Sequence, residues 1–329
     1  MVERGLFMHF RLFPVVVFSS ILLLLPLAVN AAAAEKMKII FDTDLAGDID
    51  DAFAHALVQV SPEFEVLGIT ACDGPAARRA TVSCRMLYEC GQENIPVAAG
   101  RDTRLNDSQP DQLIWGDGFL RKMPVKESAA DFIIRMLRKY PGQVTIISVG
   151  PVTNLADVID KDPAAWKMVK EVYAMFGSFS IGYDGGAVPD AEWNVKCDIP
   201  AAKKFMESGV PITLAGLDVT TMVKYNADRR GLLFARRSPL TDAISGLYTL
   251  WAGKNPHAEP TLFDPVAVSM ALNAGFVKVK PACVRITEEG FTVVDPAKAP
   301  NCNIGVHINR EVFLEWLTGR LVRQNLMRN

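Results

Sequence analysis

The stretch MKIIFDTDLAGDIDDAFAHAL, residues 37–57, sets Asp42, Asp44, Asp48, Asp50 and Asp51 between two apolar segments. MKIIF is a short run with β-branched residues and reads as a strand, whereas DDAFAHALVQV has the spacing of a helix. The same alternation continues downstream. EVLGIT, IPVAAG, QVTIISVG, EVYAMFG and VPITLAGLD read as strands, and ARRATVSCRMLYEC, ADFIIRMLRKY and REVFLEWLTGRLVRQ as helices. Such a pattern predicts an α/β fold, a single domain with a mostly parallel central sheet flanked by helices on both faces. Ligands of such sheets sit beyond the carboxyl ends of the strands, so the aspartate cluster stands on the functional rim.

Like charges this close repel and raise one another's pKa, so they either stay in solvent or meet a cation. One acid in the first turn of the helix would satisfy free N–H groups and complement the dipole. Five are too many for a cap. An EF-hand is the next candidate, since DTDLAGDIDDAF has acids at its first, third and seventh positions and glycine at the sixth. It has alanine at the fifth position and Phe53 where the bidentate glutamate belongs, which excludes that loop.

Ahead of the cluster, residues 1–34 carry Arg4 and Arg11, an apolar stretch from about Phe13 to Val29 and the small residues Ala31 to Ala34. This reads as a secretory signal, placing the protein outside the cell or in the periplasm. The competing reading, a retained anchor, meets a stretch shorter than the ~20 residues of a spanning helix and interrupted by Pro26. Residues 35–329 form the remaining domain, without a Pro/Ser linker, charge block or repeat to divide it. The formal net charge is -2, with Lys and Arg dispersed among acids, which excludes a nucleic-acid footprint. The six cysteines form no CxxC pair. Cys84 with Cys90 and Cys283 with Cys302 are candidate disulfides by proximity in sequence alone, beside the alternative of buried free thiols.

DTDLAGDIDDA (42–52) resembles the N-terminal signature of the inosine-uridine-preferring nucleoside hydrolases, Asp-x-Asp, a short Gly-containing loop and Asp-Asp-Ala. SVGPVTNLAD (148–157), AMFGSF (174–179), AEWNVKCDIPAA (191–202), LAGLDVT (214–220) and FDPVAV (263–268) follow in the family's order, so the resemblance covers essentially the whole mature chain. It implies a Rossmann-like core and a Ca²⁺ site of Asp44, Asp51, Asp264 and the carbonyl of Val149. It also implies that Asp44 is the catalytic base, taking a proton from water, and that Asp50, Met175, Glu192, Asn194 and Asp264 contact the substrate. The implied reaction is hydrolysis of the N-glycosidic bond of a ribonucleoside to base and ribose. A nucleoside or other ribosyl compound is then the partner, with no nucleic acid, no stable membrane insertion after signal cleavage, and room for a homo-oligomer. Asp42 is expected to organise the loop by accepting backbone N–H bonds, and Asp48 to be solvated.

Three positions depart from the family's pattern. Phe263 stands where several members carry a histidine that protonates the departing base; Gly74-Pro75 replaces a Gly-Asn pair, and Gly186 an asparagine. His257, in the polar segment LWAGKNPHAEPTLFDP (250–265), is a candidate lid residue and replacement acid. Trp115 and Trp193 are candidates for stacking on a base. Two further readings stay open: hydrolysis of another N-ribosyl compound such as nicotinamide riboside, and a Ca²⁺-containing nucleoside- or sugar-binding protein without turnover.

Overall fold

MKIIFDT folds as β1 (Met37–Thr43) at the middle of a sheet, because its side chains are apolar on both faces. Ile39 and Phe41 enter one core and Ile40 the other. The computed structural model describes residues 1–2, 5, 35–103 and 111–328. Lys36–Asn329 is one compact unit and Met1–Glu35 is another. The apolar stretch read as a signal lies outside the described residues. Among the described residues no helix is long and apolar enough to cross a membrane.

The further strands are β2 (Phe64–Ala71), β3 (Val97–Ala99), β4 (Val144–Ser148), β5 (Glu171–Met175), β6 (Ile212–Ala215), β7 (Val277–Ala282), β8 (Val284–Ile286), β9 (Thr292–Val294) and β10 (Cys302–Ile308). Seven of them join β1 in one sheet in the order β3-β2-β1-β4-β5-β6-β10-β7, while β8 and β9 make a separate antiparallel hairpin. All pairs in the large sheet are parallel except β10 with β7 at the edge. The expected sheet is therefore present, with an antiparallel edge that the strand pattern alone does not foretell.

One face is covered by α1 (Asp50–Gln59) and α2 (Ala76–Glu89) with the helices Pro239–Ala252, Asp264–Ala271 and Arg310–Arg323, whose apolar residues join the core of Phe41 and Phe53. The helices Ala129–Lys139, Thr153–Lys161 and Ile199–Met206 cover the other, around Phe132, Phe176 and Phe205. Each such aromatic or aliphatic side chain contributes roughly 1.5–3 kcal/mol by leaving water. From β1 the chain builds outward through β2 and β3, then returns to β4 on β1's other side. The carboxyl ends of β1 and β4 thus flank a topological switch point, the place where such a sheet opens a crevice. All six cysteines are free thiols, five buried and Cys283 partly so, and neither candidate disulfide forms.

Candidate active site

Strand register explains the innermost aspartate. Asp42 lies opposite Thr70 of β2 and Ser148 of β4, so both hydroxyls reach it from the flanking strands. Thr70 Oγ1 donates at 2.5 Å, Ser148 Oγ at 3.2 Å and Asn154 Nδ2 at 2.7 Å. Burial raises the Asp42 carboxyl to about 6, against the pull of these donors. The donors are side chains rather than the backbone N–H groups expected from sequence, because the strand backbone on either side is already paired in the sheet.

Beyond the strand end the chain turns sharply, with Ala46 at φ 75°. A buried guanidinium holds this turn. Arg79 of α2 donates to the carbonyl oxygens of Asp44 and of Leu45 (3.2 Å), to the carbonyl of Asp73 (2.9 Å) and to Asp73 Oδ2 (3.4 Å). Asp73, itself at φ 61°, accepts from Thr103 Oγ1 at 2.9 Å. Its carboxylate is thereby committed to Arg79 and Thr103, and Asp73 is not a lining residue of the pocket. Gly150, after β4, closes the other side: a Cβ there would lie 2.6 Å from Asp44 Oδ1 and from Cys72 Sγ.

The opening turn of α1 supplies Asp50 and Asp51, neither of which caps the helix. The helix Asp264–Ala271 packs on α1 and adds Asp264, whose N–H donates to Asp50 Oδ2 at 3.1 Å. Asp51 accepts from Thr43 Oγ1. Ligand oxygens of Asp50, Asp51 and Asp264 all lie within 4.8 Å of one another, and all three residues are buried. Burial first, and neighbouring carboxylates second, push all three well above the usual carboxylate range. Asp44 is raised to about 7 by burial, with Arg79 pulling the other way. An anionic, all-oxygen, buried donor set of this kind fits a hard divalent cation, and the acidic cluster is the place where this chain could hold one.

These acids line a pocket of about 380 Å³. Its opposite wall comes from the ends of β4 and β5 and the segment after β5: Val149, Met175, Tyr183, Glu192, Trp193 and Asn194, with Phe263 beside them. Asn194 Nδ2 donates to the carbonyls of Val149 (2.9 Å) and Met175 (3.1 Å), tying the two strand ends together. Glu192 is buried yet faces the pocket, and accepts from the N–H groups of Gly177 (3.0 Å), Asn194 (2.9 Å) and Val195 (3.3 Å). Burial raises its carboxyl against these bonds.

The profile of the family described as inosine-uridine preferring nucleoside hydrolase matches residues 39–315. The chain belongs to that family. Uridine nucleosidase 1 of Arabidopsis thaliana is 30% identical over 78% of this chain and 80% of its own length. A pyrimidine-specific ribonucleoside hydrolase of Citrobacter koseri is 27% identical over 87% of this chain and 98% of its own. The fold matches that of a plant nucleoside hydrolase at a TM-score of 0.76 and 24% identity, over 88% of this chain and all of the other. As a nucleoside hydrolase the chain is an N-glycosyl hydrolase.

The structure brings together Asp44, Asp50, Asp51, Val149, Met175, Glu192, Trp193, Asn194 and Asp264 in one pocket of this nucleoside hydrolase. The Val149 carbonyl accepts from Asn194 and has a second lone pair left. Asp48, expected to be merely solvated, lies exposed at the pocket's rim. Trp115 and His257 lie elsewhere. Trp115 packs under the Arg85 guanidinium, 4.3 Å from its ring centroid, since its short helix Asp111–Gly116 docks on α2. His257 is exposed in its loop, where its N–H meets Asn255 Oδ1 at 3.3 Å. Sequence reasoning missed Arg79 and Tyr183. The one signal for Tyr183 is an aromatic in a glycine-rich segment following a strand end on the functional rim.

Proposed function

We propose that this chain is a secreted or periplasmic, Ca²⁺-dependent nucleoside N-ribohydrolase with Asp44 as its base. The observation that carries the reading is the convergence of Asp44, Asp50, Asp51 and Asp264, from two distant parts of the sequence, in one pocket whose only lining cation among the described residues is Arg79. Arg79 bonds backbone carbonyls and Asp73, and its single charge offsets the four carboxylates only in part. Asp50, Asp51, Asp264 and Asp44, with the carbonyl of Val149, would hold the Ca²⁺. When bound, Ca²⁺ supplies the charge that lets these acids stay ionised together and makes water more acidic. Asp44 accepts the proton of the attacking water. Asp50, Glu192, Asn194 and Asp264 hold ribose hydroxyls, and their negative charge faces the oxocarbenium-like sugar of the transition state. The signal-like residues 1–34 support export.

Among the described residues no histidine lines the pocket, and Phe263 beside Asp264 cannot donate a proton. Negative charge then builds on the departing ring, so rate follows the base's leaving ability. The test is sugar and base release from uridine, inosine, nicotinamide riboside and a nitrophenyl riboside, with and without Ca²⁺. The relatives named for uridine and pyrimidine ribonucleosides support uridine as the first natural substrate to try. The nitrophenyl and nicotinamide ribosides should outpace inosine clearly. Equal rates would show that a proton donor serves the base, and binding without release at saturating Ca²⁺ would sink the hydrolase reading for this chain.

A further inference from the structure

Tyr183 is held at more points than a loop aromatic needs. Its N–H donates to Asp190 Oδ2 at 2.8 Å and its carbonyl accepts from Thr221 Oγ1 at 3.0 Å. Its hydroxyl accepts from the Trp193 N–H at 2.9 Å and donates to Glu192 Oε1, 3.4 Å away. Its ring meets Phe263 edge-on, with centroids 6.0 Å apart. The turn that leads to it is braced as well: Asp218 accepts from the amides of Phe179 (2.8 Å) and Ser180 (2.9 Å). Thr292 of β9 also accepts from the Ser178 N–H and donates to the Ser178 carbonyl. Despite this, Tyr183 is 40% exposed and lines the pocket. Packing alone would bury the ring, and a solvated tyrosine would leave its hydroxyl to water.

We propose that Tyr183 is a positioning residue for nucleoside hydrolysis: its hydroxyl sets the direction in which Glu192 Oε1 meets one ribose hydroxyl. This rests on the nucleoside reading above. Glu192 receives its other three bonds from backbone N–H groups, so Tyr183 is its side-chain partner among the described residues. Oε2 is fixed by the Gly177 and Val195 amides, while Oε1 is shared between the Asn194 amide and the tyrosine. Removing the hydroxyl also leaves the Trp193 N–H, in the first turn of the helix that Glu192 caps, without its acceptor. A carboxylate that must grip a hydroxyl tightly in the transition state loses rate when its orientation loosens.

The test compares wild type and Tyr183→Phe, both as the full domain with added Ca²⁺. Substrates are uridine and its three analogues lacking the 2′, 3′ or 5′ hydroxyl, read as kcat/KM or, where an analogue is not turned over, as a competitive inhibition constant. The variant should lose about tenfold on uridine, the factor of one charge-assisted hydrogen bond. On the single analogue that lacks the hydroxyl held by Glu192, wild type and variant should be equal, and Glu192→Gln should single out the same analogue. An equal loss on all four compounds would mean a structural role, and no loss on uridine would mean no role; either overturns the proposal. The melting temperature guards against misfolding: the ring is retained, so loss of the hydroxyl's two bonds should lower it by a few degrees at most. Failure of wild type to release sugar from any nucleoside is a separate result, which removes the reading beneath the proposal and the proposal with it.

Discussion

Arg79 and Asp73 fix the Asp44 turn, and both are 1% exposed. Replacing Arg79 by Met removes the donor for four oxygens and leaves the Asp73 carboxylate buried without its cation. Breaking a buried pair from one side costs about 3–5 kcal/mol, so Arg79→Met should show a loss of that size in urea unfolding. Asp44 is a different case, because its substitution acts on chemistry. Asp44→Asn keeps an oxygen for a metal but accepts no proton, and turnover should fall by about 10²–10⁴-fold. Calorimetry should still detect Ca²⁺ binding, weakened. Full turnover in this variant would remove Asp44 from the role of base.

At the scale of elements, the crevice depends on how closely the loop after β4 approaches the turn after β1. Gly150→Ala would force a methyl to within 2.6 Å of Asp44 Oδ1 and 2.9 Å of its backbone nitrogen, so Asp44 must shift. Activity should fall by at least about 100-fold, as for a displacement of about 1 Å at a reacting group, with the far-UV circular dichroism unchanged. The strands β1 to β6 were legible because each is a short apolar run between helical or turn signals. The last part of the sheet was not. In β7, VKVKPA is exposed along most of its length, and in β10, CNIGVHI carries polar residues and a glycine inside the run, so neither shows the buried pattern of the earlier strands. β10 is defined by pairing with β6, and β7 by pairing with β10, both long-range facts. The acids of the pocket were legible as spaced motifs. Trp115 and His257 illustrate the opposite limit, for the sequence shows an aromatic or imidazole in a polar segment but not which way that segment runs. Arg79 carried no signal either, since a lone arginine in an amphipathic helix is ordinarily a solvated one.

For the whole molecule, the buried acids tie stability to pH and to metal. Asp42 at about 6 and Asp44 at about 7, with Asp50, Asp51 and Asp264 also raised by burial, hold protons in the folded state that the unfolded chain has released above its ordinary value near 3.8. A group whose folded pKa is raised favours folding while protonated, and that contribution is lost as pH climbs through the folded pKa. Chelator-treated protein should therefore melt lower at about pH 7.5 than at about pH 5, and Ca²⁺ should restore more at the higher pH, where the acids are free to bind it. Scanning calorimetry at both pH values, with and without Ca²⁺, checks the order. The most direct measurement is ribose release from uridine by chelator-stripped protein as Ca²⁺ is added back in known ratio to the chain. Release should be negligible without metal and should recover, saturating as one Ca²⁺ binds per chain. Release that survives chelation unchanged, or stays absent at saturating Ca²⁺, would contradict Ca²⁺-dependent hydrolysis.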